Sequence, residues 1–302
     1  MKIYNTSRVA TWFNNSDSPN PTVETPQPYN KIGDGPEGPE VYVMTQRMYS
    51  RFPSGTILVQ IEILNERYSD IPADFLKKLP LKIIDITSKG KKTIVKFNKK
   101  RVLLISYGMS GHWETSPSKH AQLEFTFATP VGLQSKYYWV SSRSLPTCVV
   151  RFLDYATLNS ELDKLGLDII HDDPDPEVVI DVYGKTRKNI CAFMMDQTKF
   201  AGIGNYIKAV VLYRCEISPH RKTNELDDCE KWLIWETAQE VASEAISAKG
   251  MGIRDYKDES GKRVGVAFDI TPYNKKKDSK GNTVVTEYIA GRTTWWVPAV
   301  QH

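Results

Sequence analysis

The sequence is poor in cysteine and has no long apolar run. Only four cysteines occur in 302 residues, none within four positions of another and none beyond residue 229. This excludes a disulfide-stapled secreted scaffold and a zinc ribbon built from cysteine alone. No apolar stretch reaches the ~18 residues of a membrane span, and the N-terminus lacks a signal-peptide core. We therefore expect a soluble intracellular protein.

The charge of the chain is nearly balanced. Lys and Arg number 40 against 36 Asp and Glu, which gives a formal net charge of +4. So small an excess permits a nucleic-acid partner but does not require one. The length predicts about two domains at roughly 150 residues each, and the 40% hydrophobic content excludes wholesale disorder.

Residues 1–35 differ in composition from the rest. Asn, Pro, Thr and Ser supply 16 of these 35 positions, and no apolar periodicity is present. Such a segment cannot bury enough surface to offset its ordering entropy. We expect a flexible leader that ends at Gly35.

The periodicity of the remaining chain changes twice. An apolar stripe predicts a helix over 38–52, and the short β-branched and aromatic runs that follow indicate a β-sandwich. The predicted strands are 56–63, 93–97, 102–106, 122–127, 137–140 and 148–152. Helices are expected over 156–165, 176–183, 188–197, 206–215 and 227–248. The tail predicts a hairpin with strands over 265–273 and 283–290.

Four segments carry residues suited to chemistry, although each alone also has a plain structural interpretation. The run from Pro36 to Glu40 favours a helix start, and Gly90-Lys91 is typical of a solvated turn. Gly202-Ile203-Gly204 before Asn205 indicates either a tight connection or a helix start whose N–H groups bind phosphate. Arg292, beside two threonines, is either incidental on an aromatic strand or a phosphate fork.

The order and spacing of these segments closely resemble the formamidopyrimidine-DNA glycosylase/endonuclease VIII family. The Pro36-Glu37-Gly38-Pro39-Glu40 run resembles the family's mature N-terminus, and Gly90-Lys91 its lysine turn. Residues 107–111 resemble the loop that fills the gap left by an extruded base. The helix–two-turns–helix signature has its counterpart in Asp196-Gln197 and residues 202–206. Residues 252–256 and 291–301 resemble the family's C-terminal end.

The resemblance implies an α+β multidomain fold with DNA in a central cleft. It places an N-terminal β-sandwich with a helix over 36–154, a helix–two-turns–helix α-domain over 155–250 and a C-terminal β-hairpin finger over 251–302. The finger would be zincless, since residues 262–302 contain no cysteine. We expect no metal, no other cofactor, no membrane contact, a monomeric protein, and damaged double- or single-stranded DNA as the partner.

The resemblance also implies a bifunctional enzyme that excises an oxidised base and then cuts the abasic site. Pro36 would be the amine nucleophile, Glu37 the neighbouring acid and Lys91 the proton donor in β-elimination. Arg292 would hold the phosphate next to the lesion and support δ-elimination. The implied DNA-binding residues are the phosphate contacts Asn205, Gly202 and Gly204 and the void-filling residues Met109, Arg143 and Leu145.

This chain departs from the family pattern at its amine. The Pro36 nitrogen is an amide while Gly35 precedes it, so it has no basic lone pair. Either the leader is removed, or translation starts elsewhere, or Lys91 substitutes, or the protein binds lesions without cutting them. Val210, Cys191 and Ser144 also replace residues that the family usually has, a glutamate and two basic residues.

Three functional hypotheses follow from these observations. The first is a DNA glycosylase with abasic-site lyase activity, which the Pro36-to-Glu40 run and the zincless finger direct toward oxidised pyrimidines. The second is a non-catalytic module that binds DNA lesions while the leader blocks Pro36. The third, an RNA-binding scaffold, fits poorly because it would not require Pro-Glu at one end and Gly-Arg-Thr at the other.

Overall fold

The structure is a computed structural model that describes residues 35–142, 147–248 and 268–302. Residues 31–302 form one compact unit. Within the described residues, no helix is both long and apolar enough to cross a membrane. The leader prediction falls on residues 1–34, which lie outside the described residues, as do the predictions for residues 143–146 and 252–256.

The N-terminal part is an antiparallel sheet that closes into a sandwich. Its spatial order is β5-β7-β6-β1-β2-β3-β4-β8, and only two residue pairs join β1 to β2. The strands are β1 Ile57–Ile63, β2 Leu81–Lys89, β3 Lys92–Phe97, β4 Arg101–Tyr107, β5 Gly111–Glu114, β6 Ala121–Ala128, β7 Gln134–Ser141 and β8 Cys148–Asp154. Alternating apolar side chains from both halves fill one core, which includes Phe52, Phe125 and Trp139.

Helix α1, Gly38–Arg51, lies against this sheet and begins three residues after Gly35, the first described residue. It begins where the sequence predicts, because Pro39 fits the first turn and the Glu40 carboxylate accepts a 3.0 Å bond from the Glu37 N–H. Its buried face carries Val41, Met44 and Met48. A short helix, α2 Ala73–Leu76, precedes β2.

The central part is helical and has its own core around Trp235, Phe193 and Phe200. Its helices are α3 Tyr155–Leu162, α4 Pro176–Tyr183, α5 Ile190–Met194, α6 Asn205–Arg214 and α7 Asp228–Ser247. All five predicted helices are present, although α5 is shorter than the predicted 188–197. Two short parallel strands, β9 Leu167–Asp168 and β10 Phe200–Ala201, pair within this part.

The C-terminal part contains a hairpin, but its strands differ from the prediction. The paired strands are β11 Val285–Ile289 and β12 Arg292–Trp296, whereas residues 268–273 form no strand. The turn is the two-residue Ala290-Gly291, both at positive φ, which is the tight geometry that hairpin twist favours. The polar segment before β11 is a separate turn, held by Asp278 through bonds from the N–H groups of Lys280 and Asn282.

Hydrogen bonds and aromatic packing hold this finger together. The Tyr273 and Trp295 rings lie 4.6 Å apart, and the Trp296 indole donates to Glu287. The Tyr288 side chain is 78% exposed, because it lies on the outer face of β11. Among the described residues, no cluster of three His, Cys, Asp or Glu side chains is arranged to hold a metal.

We therefore expect the purified protein to contain less than stoichiometric zinc. Chelation with EDTA should leave DNA binding unchanged, because the finger's packing needs no ion. Elemental analysis combined with a binding titration before and after chelation tests this. One tightly held zinc per chain, with binding lost on its removal, would contradict the prediction.

Candidate functional site

A cleft of about 850 Å³ lies where the sandwich, the helical part and the finger meet. Its lining brings together residues that are more than 250 positions apart in sequence. The predicted site residues among them are Pro36, Glu37, Lys91, Met109, Gly204, Asn205 and Arg292. Gly202 is not among the lining residues. Arg143 and Leu145 lie outside the described residues, so their predicted role stays a prediction.

Pro36 stands at the cleft wall with Gly35 still attached. Gly35 packs so closely on the turn after β4 that a Cβ at position 35 would overlap the carbonyl oxygen of Gly108. Only glycine fits this approach. The residue before Pro36 therefore runs beside Gly108 and Met109, the turn that the sequence assigns to filling a void in DNA.

Glu37 is almost completely buried, and its carboxylate joins two parts of the molecule. It accepts hydrogen bonds from the backbone N–H groups of Gly204 at 2.7 Å, Tyr206 at 2.8 Å and Ile207 at 3.3 Å. These groups surround the start of α6, where the helix dipole favours an anion. A Cβ on residue 204 would overlap the Glu37 side chain, which explains the glycine there.

The N–H groups of Gly202 and Gly204 have partners within the protein, and the phosphate role of these glycines stays a prediction. The Gly204 N–H binds Glu37, and the Gly202 N–H donates to the Gln197 side-chain oxygen at 3.0 Å. The carboxylate occupies the anion position that the Gly-x-Gly pattern suggested. These glycines allow close backbone approach, since Gly38 also donates to the Gly202 carbonyl at 2.9 Å.

The turn that carries Lys91 is fixed from the helical part. Gly90 has φ +53°, and its N–H donates to Asp168 at 2.7 Å. Asp168 is fully buried and also accepts from the Ile170 N–H at 2.9 Å. This buried aspartate thus determines where Lys91 enters the cleft.

A group of charges lies around Lys92, which also lines the cleft. Glu161 accepts bonds from Arg151 at 2.7 Å and Lys164 at 2.9 Å, and these cations lower the pKa of its carboxyl to about 2. Burial lowers the pKa of Lys92, although Glu161 lies 3.8 Å away. The group has three cations and one anion, and Lys92 is the member of it that lines the cleft.

Asn205 and the finger are joined directly. The Asn205 side-chain amide donates to the Thr293 carbonyl at 2.9 Å, next to Arg292 on β12. Arg292 itself is exposed at the start of this strand and faces the cleft. The predicted phosphate contacts Asn205 and Arg292 therefore belong to one connected unit.

Sequence reasoning missed several residues that shape the site. The Gln197 side-chain amide stabilises the turn before α6 by donating to the carbonyls of Met195 and Ile203. Burial and the neighbouring Glu40 carboxylate raise the pKa of Tyr206 well above its ordinary value, and its hydroxyl donates to Glu40 at 3.0 Å. The close spacing of Glu37 and Glu40 could have indicated such contacts, because two carboxylates that are buried together need hydrogen-bond donors.

The unusual residues Cys191 and Val210 lie in the helical core and not in the cleft. Both are fully buried. Burial raises the pKa of the Cys191 thiol to about 11, so it is inert as a nucleophile at neutral pH. The differences from the family pattern at Cys191 and Val210 therefore affect the core packing of the helical part and not the side chains that line the cleft.

Curated relatives support a single family. The chain is 26% identical over 238 residues to formamidopyrimidine-DNA glycosylase of Thermomicrobium roseum, a match that spans 73% of this chain and 82% of the relative. A second relative of that name, from Rickettsia massiliae, is 23% identical over 88% of this chain and 97% of its own length.

Solved structures of the Lactococcus lactis formamidopyrimidine-DNA glycosylase share the fold. Its complex with DNA containing an oxidised pyrimidine matches with a TM-score of 0.76 and 22% identity, over 88% of this chain and all of the other. Its complex with abasic-site DNA matches with a TM-score of 0.74, 22% identity, and coverage of 88% and 99%. The α+β fold, with a sandwich, a helical domain and a C-terminal hairpin, is confirmed.

Sequence models of the three formamidopyrimidine-DNA glycosylase domains match in chain order. The N-terminal domain matches residues 35–147, the H2TH domain residues 165–257 and the C-terminal domain residues 263–302. Together with the shared fold, these matches show that the chain belongs to the formamidopyrimidine-DNA glycosylase family.

Proposed function

We propose that this protein is a DNA glycosylase with abasic-site lyase activity that acts on oxidised bases in base excision repair. The observation that carries the proposal is the single cleft that gathers Pro36, Glu37, Lys91, Asn205 and Arg292. The relatives' name, formamidopyrimidine-DNA glycosylase, supports the reaction class. The Lactococcus lactis complex with an oxidised pyrimidine supports that lesion class as a substrate.

In the proposed reaction the freed Pro36 nitrogen attacks C1′ of the damaged nucleotide. The C1′–base bond breaks, the base leaves with a proton, and opening of the sugar ring gives an iminium ion. The positive nitrogen draws electrons, so the C2′ proton is lost and the 3′ phosphate leaves. A second elimination releases the 5′ phosphate.

The groups around Pro36 suit the charges that develop during this reaction. Three backbone N–H groups stabilise the ionised form of Glu37, which lies next to the nitrogen that becomes positive. Its carboxylate would stabilise the iminium and transfer protons during ring opening. Lys91, held on its turn through Gly90 and Asp168, would donate a proton in β-elimination.

The target base must leave the duplex before this chemistry, at a cost of a few kcal/mol. Met109 is half-buried on the turn between β4 and β5 and is positioned at the cleft to fill the space. Damaged DNA, as duplex or single strand, is the proposed partner, and a monomer the proposed form. We retain the domain limits 36–154, 155–250 and 251–302 as part of the proposal.

Replacement of Arg292 by Ala should change the products more than the extent of base removal. The finger would lose its charge-assisted contact to phosphate, so the δ-elimination product should fall about tenfold or more relative to the β-product. Gel analysis of cleaved, end-labelled DNA measures the ratio in protein that begins at Pro36. Arg292→Lys is the matched control, because it keeps the charge without the two-pronged geometry. An unchanged product ratio in Arg292→Ala would show that the finger assignment is wrong.

The second candidate function is a lesion-binding module without chemistry. The attachment of Gly35 to Pro36 favours it, because an amide nitrogen cannot form an iminium. Borohydride trapping of the full-length chain and of a chain that begins at Pro36 separates the candidates.

A further inference from the structure

Lys208 on α6 is fully buried, and the proposed chemistry does not use it. Burial of a charged ammonium costs several kcal/mol unless donors and acceptors are well matched. A methionine of similar volume would pack in the same place without that cost. The presence of the charge therefore calls for an explanation from its contacts.

The Lys208 ammonium connects the start of α6 to the finger. It donates to the Asn205 side-chain oxygen at 2.7 Å and to the Thr294 hydroxyl at 2.8 Å. The Thr294 hydroxyl donates onward to the Arg292 carbonyl at 3.3 Å, while the Asn205 amide donates to the Thr293 carbonyl. These bonds form a closed network across the two elements.

The network contains the backbone of Arg292 and the side chain of Asn205, the two proposed phosphate contacts. Their separation is therefore set by this network, in which the Lys208 ammonium makes two bonds and the Asn205 amide makes a third. A cation bound to the Asn205 oxygen also polarises that amide and strengthens its N–H groups as donors. Both effects favour an anion in front of Asn205.

We infer that Lys208 is a positioning residue that fixes Asn205 and the Arg292 strand for the phosphate beside a lesion. It contributes through the network and does not itself contact DNA. The inference rests on the proposed function only in taking damaged DNA as the ligand. It does not require a free Pro36 amine, since it concerns binding.

Equilibrium binding by the full-length chain and by a chain that begins at Pro36 tests the inference. The probes are a duplex with one tetrahydrofuran abasic analogue and the undamaged duplex of the same sequence. The preference of Lys208→Met for the first over the second should fall about tenfold, the effect of one charge-assisted bond. Thr294→Val should lose part of that preference, and Thr294→Ser should keep it.

Controls separate positioning from general loss of structure. Lys77→Met removes an exposed lysine at the end of α2 and should leave both affinities unchanged. The double variant Lys208→Met/Thr294→Val should be no worse than Lys208→Met, because both changes break one network. Thermal melts establish that each variant is folded at the assay temperature. If Lys208→Met does not fold, the comparison of Thr294→Val with Thr294→Ser decides.

Two results would overturn the inference while the proposed function stands. One is an unchanged lesion preference in folded Lys208→Met, and the other is an equal loss in Thr294→Ser and Thr294→Val. Wild-type protein that binds both duplexes equally well, in the full-length form and in the form that begins at Pro36, would overturn the inference and the proposed function together.

Discussion

Full-length protein is expected to form no borohydride-stable adduct with abasic DNA, whereas a form whose first residue is Pro36 should be trapped covalently. Borohydride reduces an iminium to a stable amine, so trapping reports the Schiff base directly. A terminal proline is a secondary amine with a pKa near ~8, and part of it is neutral at pH 7. The amide in the longer chain has no such lone pair.

The packing of Gly35 adds a second reason for inactivity. Its backbone lies against Gly108 and Met109, on the turn whose Met109 side chain would enter the DNA to fill the space left by the base. Removing the leader therefore exposes both the nitrogen and this turn. Residues 31–302 form a compact unit, so a chain that begins at Pro36 keeps the described core.

Denaturing gels and intact mass of the adduct measure the outcome. Pro36-first protein without borohydride, and both forms with undamaged DNA, serve as controls. The adduct should map to Pro36 in a peptide digest. Efficient trapping of full-length protein through Lys91 or another amine would contradict the mechanism and favour a different nucleophile. Failure of both forms to react would leave the lesion-binding module as the function.

Replacement of Glu37 by Gln should abolish base release almost completely. We expect a loss of about 10²- to 10⁴-fold in the single-turnover rate on an oxidised base, because the amide neither transfers the proton nor stabilises the iminium. Cutting of a preformed abasic site should suffer less, since that sugar opens without losing a base. Both rates are measured in protein that begins at Pro36.

The same substitution should also lower stability. Glutamine keeps one acceptor oxygen, so at least one of the three N–H groups at the start of α6 loses its partner, at about 1–3 kcal/mol. Glu62→Gln, on an exposed position of β1, is the matched control. If base release and abasic-site cutting fell equally, in proportion to a fall in melting temperature, Glu37 would be only a structural cap of α6.

Local signals predicted the helices and most of the sandwich. The Pro36-to-Glu40 run places α1 correctly, because its cap depends on neighbours three residues apart. Strand β2 is not among the strands named from the sequence, because a register shift between Ile83 and Asp85 breaks its alternation and leaves Ile84 half exposed. The hairpin differs from the prediction because its turn is Ala290-Gly291, so the segment predicted as the second strand is in fact the first.

The residues of the candidate site were predicted through the family resemblance, whereas the buried residues that hold them in place were not. Asp168 and Lys208 are charged residues, which usually lie at the surface, yet both are fully buried. Their partners, Gly90 and Thr294, are 78 and 86 positions away in sequence. No local pattern reports contacts at such separations. The Gly-x-Gly pattern could not show that Glu37 occupies the anion position before α6, because Glu37 lies 167 residues earlier.

The Glu37 carboxylate is at once a neighbour of the reactive nitrogen and the anion at the first turn of α6. Asn205, the residue that begins this helix, is tied to the finger. A nucleic-acid backbone that shifts α6 by even a fraction of an ångström would move the carboxylate with it. In the proposed reaction, DNA binding at α6 and proton transfer by Glu37 would therefore be coupled, because the same hydrogen bonds hold the carboxylate and the start of the helix together.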